Sequence, residues 1–91
     1  MNNNINNVIS LNAKTGAFIK KHRIDKGLTG VLFGNLLFIS QQQVSRYETG
    51  KNVLSITMLN HCLNVLGLTW EDYIKEVIYK NTIVENIDLT S

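Results

Sequence analysis

Hydroxyl and glycine residues punctuate this chain at short intervals. Gly27 is followed by Thr29, Ser40 opens a polar run that Gly50 closes, Ser55 comes next, and Gly67 is followed by Thr69. A Ser or Thr oxygen accepts from the free N–H groups at a helix start, and glycine takes the left-handed conformation that closes a helix end. Proline is absent, and the apolar residues recur at helical rather than alternating spacing. The pattern therefore predicts an all-α fold, a five-helix bundle with a C-terminal extension. Its helices are expected at about 13–26, 30–37, 41–49, 56–66 and 70–80. Residues 1–12 hold six asparagines and little apolar surface, so a flexible Asn-rich tail is expected there. The domain then spans 13–80, and 81–91 form a C-terminal tail.

Ninety-one residues, 44% of them hydrophobic, suffice for one modest core without disulfides or metal. Cys62 is the single cysteine, which excludes an intrachain disulfide and fits a reducing compartment. No apolar run approaches the roughly 18 residues of a membrane span, and the N-terminus lacks the basic-then-apolar pattern of a secretory signal. A cytoplasmic location is expected, on the nucleoid if the chain binds DNA. The net charge of +2 conceals a division: residues 1–66 carry +5 and residues 67–91 carry −3. A basic front and an acidic rear suit a protein that turns one side towards a polyanion, although a solvated helix face would look the same.

The stretch Ser40-Gln41-Gln42-Gln43-Val44-Ser45-Arg46-Tyr47-Glu48 carries most of the functional information. On a helix, Gln42 and Arg46 share a face, while Val44, Tyr47 and Glu48 gather on the other. Gln can bond adenine in two places and Arg can do so for guanine. On these nine residues alone, a base-reading helix and an ordinary polar helix are equally consistent. Their position favours the first. Two short helices joined by Phe38-Ile39-Ser40 have helix-turn-helix spacing. The second helix of such a unit enters the major groove with its N-terminal residues nearest the bases.

From about residue 15 to 74 the chain resembles the lambda-repressor/Cro (XRE-like) type of helix-turn-helix domain. The landmarks are Arg23, Gly27-Leu28-Thr29, Phe33-Gly34, Leu37, Ile39-Ser40-Gln41, Val44, Tyr47-Glu48, Gly50-Lys51 and Leu66-Gly67-Leu68. Within that group, Ser40 to Glu48, Thr15-Gly16-Ala17-Phe18-Ile19 and Gly27-Leu28-Thr29-Gly30 are similar to small enterobacterial fimbrial-operon regulators. The resemblance implies a transcription factor that adjusts fimbrial expression and represses flagellar motility genes. It implies DNA contacts from Thr29, Gln41, Gln42, Gln43, Ser45, Arg46, Lys51 and Asn52, and a structural ion pair between Arg23 and Glu48. Three positions depart from the family pattern. Gly30 stands where many relatives have Gln, Phe38 where the turn usually has Gly or Asn, and Val31, Leu32 and Leu36 where charge is usual.

The partner expected is double-stranded DNA with a palindromic operator, bound by a homodimer, because one reading helix covers too few base pairs for genomic specificity. A two-fold dimer would place two reading helices about 34 Å apart. The stripe Trp70, Tyr73, Ile74, Val77 and Ile78 is the candidate dimer surface; its alternative role is to close the monomer's core.

No cofactor, metal or small-molecule ligand is expected, and no enzymatic activity. His61 and Cys62 are adjacent and so lie on different helix faces, and a zinc site has too few ligands. A Cys62–His22 pair is the one nucleophile arrangement left open, although Cys62 lies in a core pattern. The competing functional class is a protein-interaction module on the same scaffold, antitoxin-like or a co-regulator, favoured by apolar Val31, Leu32, Leu36 and Phe38.

Overall fold

The computed structural model describes the backbone of residues 2–83 and the side chains of residues 11–80. All regular structure within it is helical. The elements are α1 (Asn2–Asp25), α2 (Gly30–Leu37), α3 (Gln41–Glu48), α4 (Ile56–Leu66) and α5 (Trp70–Tyr73). A π-helical segment, Ile74–Ile83, continues directly from α5.

The punctuation works as local chemistry dictates. Thr29, Ser40 and Ser55 each accept from the backbone N–H three residues on, at 3.1, 3.1 and 3.0 Å. Thr69 and Asp72 form a reciprocal capping box, Thr69 N–H donating to Asp72 Oδ2 at 2.8 Å. The Thr69 backbone N–H first, and the Thr69 hydroxyl second, hold the Asp72 carboxyl below its ordinary pKa. Gly27, Gly50 and Gly67 all have positive φ.

Two expectations need correction. α1 begins at Asn2, not near residue 13, so the backbone of the Asn-rich segment is helical from residue 2. Extending an established helix costs far less than nucleating one, and neither Gly nor Pro interrupts residues 2–13. The final helix also departs from expectation, because beyond Tyr73 its backbone closes π-type bonds of i→i+5. The expected C-terminal tail lies largely outside the described residues, from 84 onwards.

One core serves the whole bundle. Phe18 and Ile19 of α1, Phe33 and Leu37 of α2, Val44 of α3, Leu59, Cys62, Leu63 and Leu66 of α4, and Tyr73 and Val77 meet in it. Burying one such aliphatic or phenyl side chain is worth about 1.5–3 kcal/mol. α3 contributes a single aliphatic side chain, so its position depends on polar and backbone contacts to α1 and α2.

The turn between α2 and α3 is set by Phe38, which has φ 61° and ψ 39°. Its N–H and that of Ile39 return to the Asn35 and Gly34 carbonyls at 3.2 and 2.9 Å. Gly34 has no side chain because a Cβ there would lie 2.7 Å from the Ile39 carbonyl oxygen. The left-handed conformation costs a residue with a Cβ about 1–2 kcal/mol, and Phe38 recovers little by burial, being 86% exposed. Phe38→Gly is accordingly expected to stabilise the domain by about 0.5–1 kcal/mol, read from its urea midpoint.

Candidate nucleic-acid interface

α3 is held at a defined angle by Arg23. The guanidinium Nε and Nη2 of Arg23 donate to the two carboxylate oxygens of Glu48 at 2.7 and 3.0 Å, and Nη1 donates to the Leu28 carbonyl at 2.8 Å. One planar side chain thus joins α1, the loop before α2 and the end of α3. The Glu48 side chain is 5% exposed and that of Arg23 is 13% exposed. The hydrogen bonding of Arg23 to Glu48 comes first among the causes that raise the Arg23 pKa, against a smaller opposing effect of burial.

The second constraint is steric. Gly16 on α1 lies against the last turn of α3, where a Cβ would overlap the Tyr47 carbonyl oxygen and stand 2.7 Å from that of Glu48. The two helix backbones therefore touch, and Val44 of α3 is buried in the common core. With its inner face secured, α3 turns Gln41, Gln42, Ser45 and Arg46 outwards, all exposed, with Gln43 half-buried.

The expected contact residues divide into three settings. Gln42 and Arg46 form one exposed row of α3. Arg46 Nε donates to Asn52 Oδ1 at 3.4 Å, while the N–H groups of Lys51 and Asn52 return to the Arg46 carbonyl at 2.9 and 3.2 Å. Asn52 thus lies directly beside Arg46. Lys51 is exposed beside it, and Thr29 is exposed at the start of α2, where its oxygen caps the helix. Gln41 and Ser45 occupy a neighbouring row that faces a cleft of about 210 Å³ lined also by Lys20, Arg23, Gly30, Val44, Glu48 and Thr49. Lys20 was not singled out by the sequence reading. The signal was available, because Lys20 stands one helical turn before Arg23 and so shares its face.

The stripe considered for dimerisation is divided by the fold. Tyr73 and Val77 are buried in the monomer's own core and are not available to a second copy. The Tyr73 hydroxyl shares a hydrogen bond of 2.8 Å with Thr15 Oγ1, and Trp70 Nε1 donates to Asn60 Oδ1 at 2.8 Å. Ile78 is half-buried, and Ile74 is 41% exposed. Tyr73 meets Thr15 and Phe18 of α1, while Ile74, the next residue, lies outside.

Cys62 is buried, and that burial first, with the nearby Glu48 charge second, pushes its thiol up to about 12. The group stays a protonated core side chain at neutral pH. His22 lies elsewhere, its Nε2 within 3.2 and 3.3 Å of the Glu76 carboxylate oxygens. Among the described residues no three His, Cys, Asp or Glu side chains are grouped to hold a metal ion. No helix among them is long and apolar enough to cross a membrane.

Known proteins offer two points of comparison. Two crystal structures of ClgR, the clp gene regulator of Corynebacterium glutamicum, are similar to this fold. One has a TM-score of 0.72 at 25% identity, covering 79% of this chain and 94% of that one. The other has a TM-score of 0.73 at 25% identity, covering 88% and 86%. No curated protein sequence matches the chain significantly. A family model described as helix-turn-helix matches residues 19–73, which takes in the Arg23–Glu48 pair, the α2–α3 unit and α4. With more than half of its length matched, this chain belongs to the helix-turn-helix family.

Proposed function

We propose that this protein is a sequence-specific, double-stranded DNA-binding transcriptional regulator. The observation that carries the reading is the row Gln42 and Arg46, exposed on a helix whose angle is fixed by a buried ion pair and a backbone–backbone contact. Both side chains are long and able to bond base edges in two places, and Arg46 Nε donates to Asn52 Oδ1 beside it at 3.4 Å. ClgR, a gene regulator by its published description, supports the same assignment.

The finer reading is a homodimer on a palindromic operator that controls fimbrial expression and represses motility genes. Its support is the resemblance of Ser40 to Glu48 to fimbrial-operon regulators. Exposed Ile74 and Tyr79, with the outer edges of Trp70 and Ile78, are the apolar surface left for a second copy. Footprinting on fimbrial and flagellar promoters tests the regulatory role, and sedimentation with Ile74→Glu tests the dimer.

Arg46→Ala is expected to weaken binding to a selected operator by about 1–3 kcal/mol and to relax the preferred base at one position. Competition binding against single-base operator variants measures both. A uniform loss across all variants would assign Arg46 to phosphate instead.

One observation favours a second reading. Val31, Leu32 and Leu36 are each 49% exposed on α2, beside the exposed Phe38. This apolar strip suits a protein partner, and a chain working mainly through it would keep its activity in the Gln42→Ala, Arg46→Ala double variant.

A further inference from the structure

A cleft of about 240 Å³ opens between α1, α5 and the loop that leads into α4. None of its lining side chains is charged, whereas the groove between α1 and the final helix is lined by Lys14, Lys21, Glu76 and Lys80. Leu11, Leu54, Ile56 and Leu59 form its aliphatic walls. Trp70 adds an aromatic wall that is held on two sides. Its Nε1 donates to Asn60 Oδ1 at 2.8 Å, and its ring meets that of Tyr73 edge-on, with centroids 5.9 Å apart. The polar lining consists of Asn12 and the hydroxyls of Thr15 and Tyr73, which bond one another at 2.8 Å. Such a pair spends one proton on its own bond and keeps a second O–H and further acceptor positions.

Size and composition together define an occupant. An apolar cavity of about 150 Å³ takes one benzene ring, and pockets for drug-sized ligands begin near 300 Å³. A cleft of about 240 Å³ therefore has room for two fused rings and little more. An ion seated against uncharged walls would lose its hydration with no opposite charge to replace it, so the fitting molecule is neutral. The hydroxyl pair and the Asn12 amide supply it with one or two hydrogen bonds. Leu54 stands two residues beyond Asn52, on a loop that starts from Gly50, where a Cβ would lie 3.1 Å from Ala13 Cα. An occupant would thus bridge α1 to the loop that carries Lys51 and Asn52.

We infer that the cleft between α1, α4 and α5 binds a small neutral aromatic molecule of one or two rings that carries a hydroxyl or N–H group. The site belongs to the free chain, so it stands or falls independently of the DNA-binding reading.

The experiment titrates the isotope-labelled full chain with β-naphthol and, as its matched anion, β-naphthoate, and follows the N–H resonances by NMR. Trp70 is the one tryptophan of the chain, so its indole N–H gives a single signal at the cleft wall. β-Naphthol should shift that signal and the Leu54 and Ile56 amides saturably, with a Kd below about 1 mM. β-Naphthoate should bind about 10-fold more weakly or worse, although the chain's net charge of +2 favours the anion on the rest of the surface. Ile56→Ala trims a wall residue that is 78% exposed, and should weaken β-naphthol about 3-fold or more while the domain stays folded. Leu11→Trp fills the cleft and should abolish the saturable shift. Ile24→Ala, at an exposed position of α1 outside the cleft, should match wild type. Absence of a saturable shift, equal affinity for the two compounds, or an unchanged Kd in Ile56→Ala overturns the assignment. So does a wild-type dimer in sedimentation that Leu11→Trp converts to monomer, since the cleft would then hold a second copy of the chain.

Discussion

Glu48→Ala should destabilise the domain by about 3 kcal/mol or more, the range expected when one partner of a buried ion pair is removed. Truncation leaves the Arg23 guanidinium with one of its three acceptors, the Leu28 carbonyl. That group is 13% exposed and its former partner 5%, so water re-enters poorly to solvate the charge. Urea denaturation reads the loss as a lower midpoint at constant slope. A loss under about 1 kcal/mol would place the pair with ordinary surface ion pairs. The apolar double variant Arg23→Met, Glu48→Leu separates stability from function. Replacing both members of a buried pair with packed apolar groups is often close to neutral for stability. DNA affinity should nevertheless fall in that variant, because the planar bidentate contact that orients α3 is gone.

Gly16→Ala is expected to destabilise by about 2 kcal/mol, opposite in sign to what helix propensity alone requires. In the middle of an isolated helix, Gly to Ala gains about 1 kcal/mol. Here the new methyl would overlap the Tyr47 carbonyl oxygen and approach that of Glu48 to 2.7 Å. Neither obstacle is the end of a flexible side chain that could swing aside. Relief requires α1 and α3 to separate, which opens packing around Val44 and Phe18. Overpacking of this kind costs about 1–3 kcal/mol, occasionally more. Thermal unfolding gives the stability change, and DNA binding at a temperature where the variant is folded gives the consequence for α3. A more stable Gly16→Ala domain would show that the two helices are not in backbone contact.

The reading of helix boundaries from the chain succeeded where each boundary depends on one or two neighbouring side chains. Thr29, Ser40, Ser55 and Thr69 cap the helices that follow them because a cap needs only a hydroxyl within reach of an N–H three residues on. The Arg23–Glu48 pair, anticipated from family resemblance, forms with two hydrogen bonds. The α1 start was missed because six asparagines suggest a tail, and composition carries no information about a helix already nucleated downstream. Two members of the apolar stripe, Tyr73 and Val77, are buried in the monomer's own core. A periodic apolar face marks burial, and periodicity does not say against which surface.

Gly16 and Lys20 complete that contrast. In the chain, Gly16 is a mild defect in a helix and Lys20 one of several basic residues. Their placement arises from the approach of α1 to α3, Gly16 lying 31 positions before Tyr47 and Lys20 25 before Ser45, which nothing local encodes. The order of elements, their caps and the polar row on α3 were set by short-range chemistry, in which each hydrogen bond closes within a few residues. The angle at which that row is presented, the cleft beside it and the burial of Tyr73 and Val77 were decided only by tertiary packing. Close packing of backbones and a buried charge pair depend on distances that exist only once the bundle has formed.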